Sequence, residues 1–79
     1  MKNKQKYDKI FIDTFSLQEN SLEKDLAYNA IPEWDSIGHM SMIATIEEIF
    51  NITMETDDII NFSSYKKGFE ILAKYKIEF

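Results

Sequence analysis

Apolar side chains recur with a helical period over most of the chain. A helix over about residues 3–16 has one side marked at the spacing i, i+3, i+4, i+7, i+8 by Tyr7, Ile10, Phe11, Thr14 and Phe15. A last helix over about 64–75, capped by Ser63 or Ser64, has one face marked by Tyr65, Phe69, Leu72 and Ala73. A short apolar segment predicts a further, short helix over about 56–61.

The middle of the chain contains a long connection and a further helix. Residues 17–34 mix turn and cap formers with scattered apolar side chains, which predicts an ordered connection held on the core. Asp35 or Ser36 can then cap a helix over about 36–50. The whole pattern predicts a single all-α domain over residues 1–79, a four-helix bundle with three longer helices and one short one.

The helix over 36–50 has two apolar faces, which is unusual for a surface helix. At about 100° per residue, one stripe faces the predicted core: Met42, Ile43, Ile46, Ile49 and Phe50. The opposite side carries a smaller apolar patch, Ile37, Met40 and Ala44, bordered by Glu47 and Glu48. Either the connection over 17–34 folds over this patch, or the patch is an exposed docking surface with an acidic rim.

Size and charge restrict what such a domain can do. With 79 residues and no Cys, the chain forms one small core without disulfides, which excludes an enzyme with a deep two-domain cleft. Residues 10–65 hold eleven carboxylates and only Lys24, a net charge of −10 within a total of −5. This acidic centre and the absence of Arg argue against nucleic-acid binding and favour basic protein partners. No run of about 18 apolar residues is present, so we expect no membrane span and a cytoplasmic protein.

Among the polar side chains, Ser36 has the most informative position. It lies where the connection becomes a helix, and unpaired N–H groups and the helix dipole there favour a phosphate on its hydroxyl. The alternative is that Ser36 is a plain helix cap. His39, the single histidine, has no second His or Cys for a metal site and is expected to be solvated. Asp57 and Asp58 with Glu55 are expected to cap the short helix and extend the docking rim.

These residues together resemble a known family. Asp35-Ser36-Ile37, a helix that ends Ile46-Glu47-Glu48-Ile49-Phe50, and then Asp58-Ile59-Ile60 are similar to the acyl carrier proteins. Nearly the whole chain takes part in the resemblance, which includes the order of long connection, Asp-Ser-aliphatic motif, acidic helix and short third helix. The resemblance implies an acyl-carrier-like four-helix bundle.

The resemblance also implies a function. Ser36 would carry a 4′-phosphopantetheine arm, transferred from coenzyme A by a separate phosphopantetheinyl transferase, and the thiol of the arm would hold an acyl group as a thioester. The carrier is not an enzyme, since the reactive group belongs to the cofactor. Asp35 and Ile37 would help the transferase to recognise the serine. The side chains that would face partner enzymes with basic docking patches (loading, ligating, condensing or acyltransferase enzymes) are Met40, Ala44, Glu47 and Glu48. A monomer is expected.

Two departures and two alternatives qualify this expectation. Gly38 stands where carriers of the main fatty-acid cycle usually have an acidic residue, and Trp34 precedes the Asp-Ser pair. Both features are more like the specialised, discrete carriers of secondary or surface-sugar pathways than the carriers of the main cycle of fatty-acid biosynthesis. An aminoacyl or peptidyl carrier shares the same serine and bundle, and a non-carrier acidic interaction module would share the docking face. A long fatty cargo should partly enter the bundle between the second and third helices, beside Ile46, Ile59 and Ile60.

Overall fold

The computed structural model describes residues 2–23 and 26–79, and it is mostly helical, with helix at 64% and no strand in the described part. The helices are α1 (Lys2–Phe15), α2 (Ser36–Phe50), α3 (Thr56–Asn61) and α4 (Tyr65–Ala73), with a 3₁₀-helix at Glu19–Glu23 in the connection. The prediction of an all-α fold is therefore confirmed. The bounds of α2 and α3 agree with the expected ones, while α1 lies one residue earlier and α4 is shorter at both ends. Within the described residues, no helix has the length and apolar character needed to cross a membrane.

The core lies between α1 and the inner face of α2, which pack against each other. The predicted stripe of α1 is buried, apart from the half-buried Thr14: Tyr7, Ile10, Phe11 and Phe15. On α2 the residues Met42, Ile43 and Ile46 are buried as expected. Ile49 is not, since 43% of it is exposed, and this part of the prediction was wrong. Ile49 points in nearly the same direction as Met42 two turns earlier, but at the last turn of α2 the core is covered less completely, and Phe50 packs against it only partly buried.

The connection supplies the centre of the core. Trp34 has no exposed surface and stacks on Phe15 of α1, with 5.1 Å between ring centroids. The connection is also tied to the start of α4, because the Leu26 carbonyl accepts from Tyr65 N and the Ser63 carbonyl accepts from Tyr28 N, both at 2.9 Å. These bonds hold the part of the connection from Leu26 onward on the fold, as its apolar residues predicted.

The last helix differs from its predicted pattern at one position. Ser64 is its cap and accepts a hydrogen bond from Lys67 N. Tyr65 and Leu72 are buried and Phe69 is half-buried, as expected, but Ala73 is exposed and Ile71 is buried instead. Ala73 lies about 100° around the helix from the fully buried Leu72, so it faces away from the core.

Candidate functional site

The N-terminus of α2 presents Ser36 at the surface. Asp35 precedes the helix in extended conformation, and its carboxylate accepts from Gly38 N at 2.9 Å. Asp35 is therefore the cap, and the alternative in which Ser36 caps the helix is wrong. Ser36 is the exposed first residue of α2, and its Oγ lies 3.0 Å from the hydroxyl oxygen of Tyr28. The Ser36 side chain thus has no part in starting the helix.

Gly38 allows the start of α2 to lie directly on the connection. A Cβ built at this position would be far inside 3.0 Å of the Glu33 carbonyl oxygen, a distance that Cβ atoms essentially never reach, and 3.1 Å from Cε1 of Phe15. The φ angle of Gly38 is not positive, so the requirement is space and not conformational freedom. A side chain here would push the Asp35-Ser36 turn away from the core.

His39 links three parts of the site through its two ring nitrogens. Trp34 Nε1 donates to His39 Nδ1 at 3.0 Å, and His39 Nε2 lies 2.8 Å from the Ile59 carbonyl oxygen. Because the indole N–H is only a donor, Nδ1 must accept; the ring proton is then on Nε2, which donates to Ile59. The half-buried His39 is therefore neutral and structural, and the expectation of a solvated histidine was wrong. These two bonds hold the connection, α2 and α3 together one turn below Ser36.

An open groove of about 300 Å³ lies between the connection, α2 and α3, with Ser36 on its rim. It is lined by Tyr28, Ser36, His39, Met40, Ile59, Ile60, Phe62 and Ser63. Two of the three residues expected beside a cargo, Ile59 and Ile60, line this groove. Ile46 does not, because it is fully buried in the core behind it. The groove offers an apolar surface next to the serine hydroxyl.

The α3 wall of the groove is anchored by Asp58. This side chain is buried, and it accepts from Lys74 Nζ at 2.6 Å and from the Tyr75 hydroxyl at 2.5 Å. These two hydrogen bonds, that of Lys74 first, hold the pKa of Asp58 below its ordinary value against the opposing effect of burial. The same carboxylate raises the pKa of Lys74. The expectation that Asp58 extends an acidic rim was wrong, since its charge is used to attach α3 to the end of α4.

The outer face of α2 remains uncovered. Ile37 is 78% exposed and Met40 is 53% exposed, and Ala44 between the acidic positions is exposed too. The alternative in which the connection covers this patch was therefore wrong for the described residues. Ile60 of α3, 69% exposed, enlarges the patch across the groove.

The two glutamates at the border of this face differ in exposure and in hydrogen bonding. Glu48 is exposed, as a docking residue must be. Glu47 is half-buried, and its Oε2 accepts from Met54 N at 2.9 Å, so it also holds the loop between α2 and α3. In the described part of the chain no cluster of three or more His, Cys, Asp or Glu could hold a metal ion.

Comparison with known proteins adds no assignment: the chain matches none of the protein-family models, curated proteins or solved structures with which it was compared. The site is therefore interpreted from its own residues. One of them, Tyr28 beside Ser36, was not expected from the sequence, because an exposed tyrosine in a turn-rich connection gives no periodic signal. Ile60 was expected beside a cargo, and it lines the groove, but its place on the exposed patch was not expected.

Proposed function

We propose that this chain is an acyl carrier protein that bears 4′-phosphopantetheine on Ser36. The observation that supports the proposal most strongly is the division of roles at the start of α2. Asp35 caps the helix, and the adjacent Ser36 hydroxyl is exposed and is not needed for the fold. A phosphate ester at the first turn of a helix is also favoured by the helix dipole, and α2 is a full helix of 15 residues.

The residues around Ser36 are compatible with such an arm. When bound, the cofactor supplies a thiol that holds an acyl group as a thioester. Ser36 is the attachment point. The groove beside it is lined in part by the apolar side chains of Ile59 and Phe62, so it can accept the arm or a short part of its cargo. The charge of −10 over residues 10–65 and the exposed Glu48 are suited to partner enzymes with basic docking patches. Ile37, Met40 and Ala44, with Glu47 and Glu48 at the border, form the proposed docking face.

One further function is favoured by a specific observation. A non-carrier interaction module would also need the exposed Ile37 and Met40, since such residues rarely remain uncovered without a binding partner. The two functions differ in their use of Ser36. A carrier binds at least some partners differently in its apo and holo forms, whereas equal affinities of both forms for every partner would support the interaction module.

The chemical test of the carrier function is post-translational loading. The protein is incubated with coenzyme A, magnesium and a broad-specificity phosphopantetheinyl transferase, and its intact mass is measured. We expect one phosphopantetheine mass on the wild type and none on Ser36→Ala. Ser41→Ala is the matched control, because Ser41 is another exposed serine of α2 and its loss should leave the addition unchanged. No addition to the wild type, or addition to Ser36→Ala, would overturn the proposal.

Charging of the holo form then separates acyl from aminoacyl carriers. The acidic character of α2 favours acyl cargo, in a pathway of fatty-acid, polyketide or other specialised biosynthesis. Acyl ligases and amino-acid adenylating enzymes are each offered the holo protein, and the thioester is detected by mass. If only amino acids are loaded, the protein is an aminoacyl or peptidyl carrier and not an acyl carrier.

A further inference from the structure

Tyr28 is placed so that its hydroxyl meets the Ser36 side chain. The two oxygens are 3.0 Å apart, although the residues come from different elements. The backbone of Tyr28 is fixed by its hydrogen bond to the Ser63 carbonyl, and its ring packs edge-on against His39, with centroids 5.7 Å apart and planes at 85°. His39 is itself held by two hydrogen bonds. The Tyr28 hydroxyl is thus positioned by a fixed framework and remains partly open to solvent.

Esterification of Ser36 fixes the direction of this contact. In the unmodified protein either hydroxyl can be the donor. Phosphopantetheinylation forms a bond from Oγ to phosphorus, breaks the pyrophosphate bond of coenzyme A with release of adenosine 3′,5′-bisphosphate, and removes the serine proton. Oγ can then only accept, and the anionic oxygens of the phosphodiester, two bonds away, become stronger acceptors than Oγ. The phenol of Tyr28 must therefore become the donor.

Apart from the free N–H groups in the first turn of α2, few groups of the described residues beside Ser36 can pair with the negative charge, and charged side chains are not among them. Residues 26–65 contain no Lys or Arg, and none of the described side chains that line the groove is a charged one. The Gly38 N–H, which a phosphate at this helix end could otherwise use, is already taken by Asp35. A neutral hydroxyl donor avoids the cost of bringing a cation into this partly apolar position while still pairing the anion.

We propose that Tyr28 is a phosphate-binding residue of the carrier: it donates a hydrogen bond to the phosphodiester on Ser36 and directs the arm along the groove between α2 and α3. The inference rests on the proposed function, because it needs the modification of Ser36. It adds a recognition residue from the connection, outside the Asp35-Ser36-Ile37 segment. Its consequence is a more ordered start of the arm than a single ester bond would give.

The test compares the holo forms of the wild type and Tyr28→Phe, which keeps the ring and its packing. We expect the ³¹P resonance of the phosphodiester to shift in Tyr28→Phe. Because a hydrogen bond to an anionic acceptor is stronger than one between two hydroxyls, we also expect the melting temperature to rise from apo to holo in the wild type and to rise less in Tyr28→Phe. Tyr65→Phe is the control: it removes a tyrosine hydroxyl bonded to Asp8, away from the groove, and should leave both the ³¹P shift and the apo-to-holo difference as in the wild type.

A second measurement needs no variant. In the wild type, the ¹³Cζ resonance of Tyr28 should move when the apo protein is converted to the holo form. Two results in fully loaded protein would together overturn the role of Tyr28 and leave the carrier function intact. They are a ³¹P resonance that is the same in the wild type and Tyr28→Phe, and a ¹³Cζ resonance that is the same in the apo and holo wild type. A wild type that takes up no phosphopantetheine would instead remove the carrier function, and the role of Tyr28 with it.

Discussion

Replacing Gly38 by Ala brings in two physical effects that change the free energy of unfolding in opposite directions. Replacing an exposed helical Gly by Ala stabilises a protein by up to about 1 kcal/mol, because Ala has the higher helix propensity. At Gly38, however, the new Cβ would lie well within 3.0 Å of the Glu33 carbonyl oxygen and would also touch the Phe15 ring. Backbone atoms cannot yield as the end of a flexible side chain can, so the start of α2 must move away from the connection.

The magnitude follows from the cost of overpacking. Forcing a methyl group into a filled position costs about 1–3 kcal/mol, and a Cβ this close to a backbone oxygen belongs in the upper part of that range, at about 2–3 kcal/mol. After the helix-propensity gain of up to about 1 kcal/mol, Gly38→Ala should lower the free energy of unfolding by a net amount of about 1–2 kcal/mol. For a domain of this size that corresponds to a fall in melting temperature of about 5–15 °C. Urea denaturation and differential scanning calorimetry measure both quantities.

The control for Gly38→Ala is Ser41→Ala on the exposed side of the same helix, where Ala adds no contact and should stabilise by about 0.5 kcal/mol or less. A Gly38→Ala variant that is more stable than the wild type would refute the reasoning. It would mean that helix propensity decides and that the close approach of α2 to the connection is not needed.

Two further predictions concern the anchors of the groove. Trp34→Phe should lower the free energy of unfolding by about 2–4 kcal/mol, because it removes buried ring volume and leaves His39 Nδ1 without its donor; chemical denaturation measures this, and a loss below about 1 kcal/mol would contradict it. Asp58 has a lowered pKa in the folded protein, so its contribution is present above its unfolded pKa of about 3.9 and is lost as the pH falls through the folded value. Urea denaturation between pH 6 and pH 3 should therefore show a steeper loss of stability for the wild type than for Asp58→Asn, and equal slopes would argue against this anchor.

The parts of the fold that follow one periodic stripe could be predicted from the sequence. The buried face of α1 is an example, since Tyr7, Ile10 and Phe11 need only the helical repeat and a neighbouring apolar surface to be placed in the core. The bounds of α2 were also predictable, because both are set by the local sequence. Asp35 caps the start of the helix, and Asn51, in left-handed conformation, ends it after Phe50.

Residues placed by tertiary contacts could not be predicted in this way. Trp34 lies in a connection without periodicity, yet it is fully buried and donates to His39. Asp58 is a carboxylate in an acidic segment, and only its distance from Lys74, sixteen residues later, shows that it is an internal anchor. In both cases a side chain pairs with one from another element, and the amino-acid sequence alone does not show which elements meet.

The candidate site also has parts that could be predicted from the sequence and parts that could not. The position of Ser36 at the start of a helix and the apolar patch with Ile37 and Met40 could be predicted, because both depend on the local sequence of α2. The contact of Tyr28 with Ser36 and the opening of the groove beside Ile59 depend on how the connection and α3 pack on that helix. Specific recognition of an arm on Ser36 would therefore use residues that periodicity does not reveal.

The most direct test of the central claim locates the modification on the chain. After incubation with coenzyme A and a transferase, cleavage at lysine yields a peptide of residues 25–66, which contains Ser36, Ser41, Ser63 and Ser64. Tandem mass spectrometry of this peptide should place one phosphopantetheine on Ser36 and none on the other three serines. An unmodified peptide, or an arm on any other serine, would contradict the account.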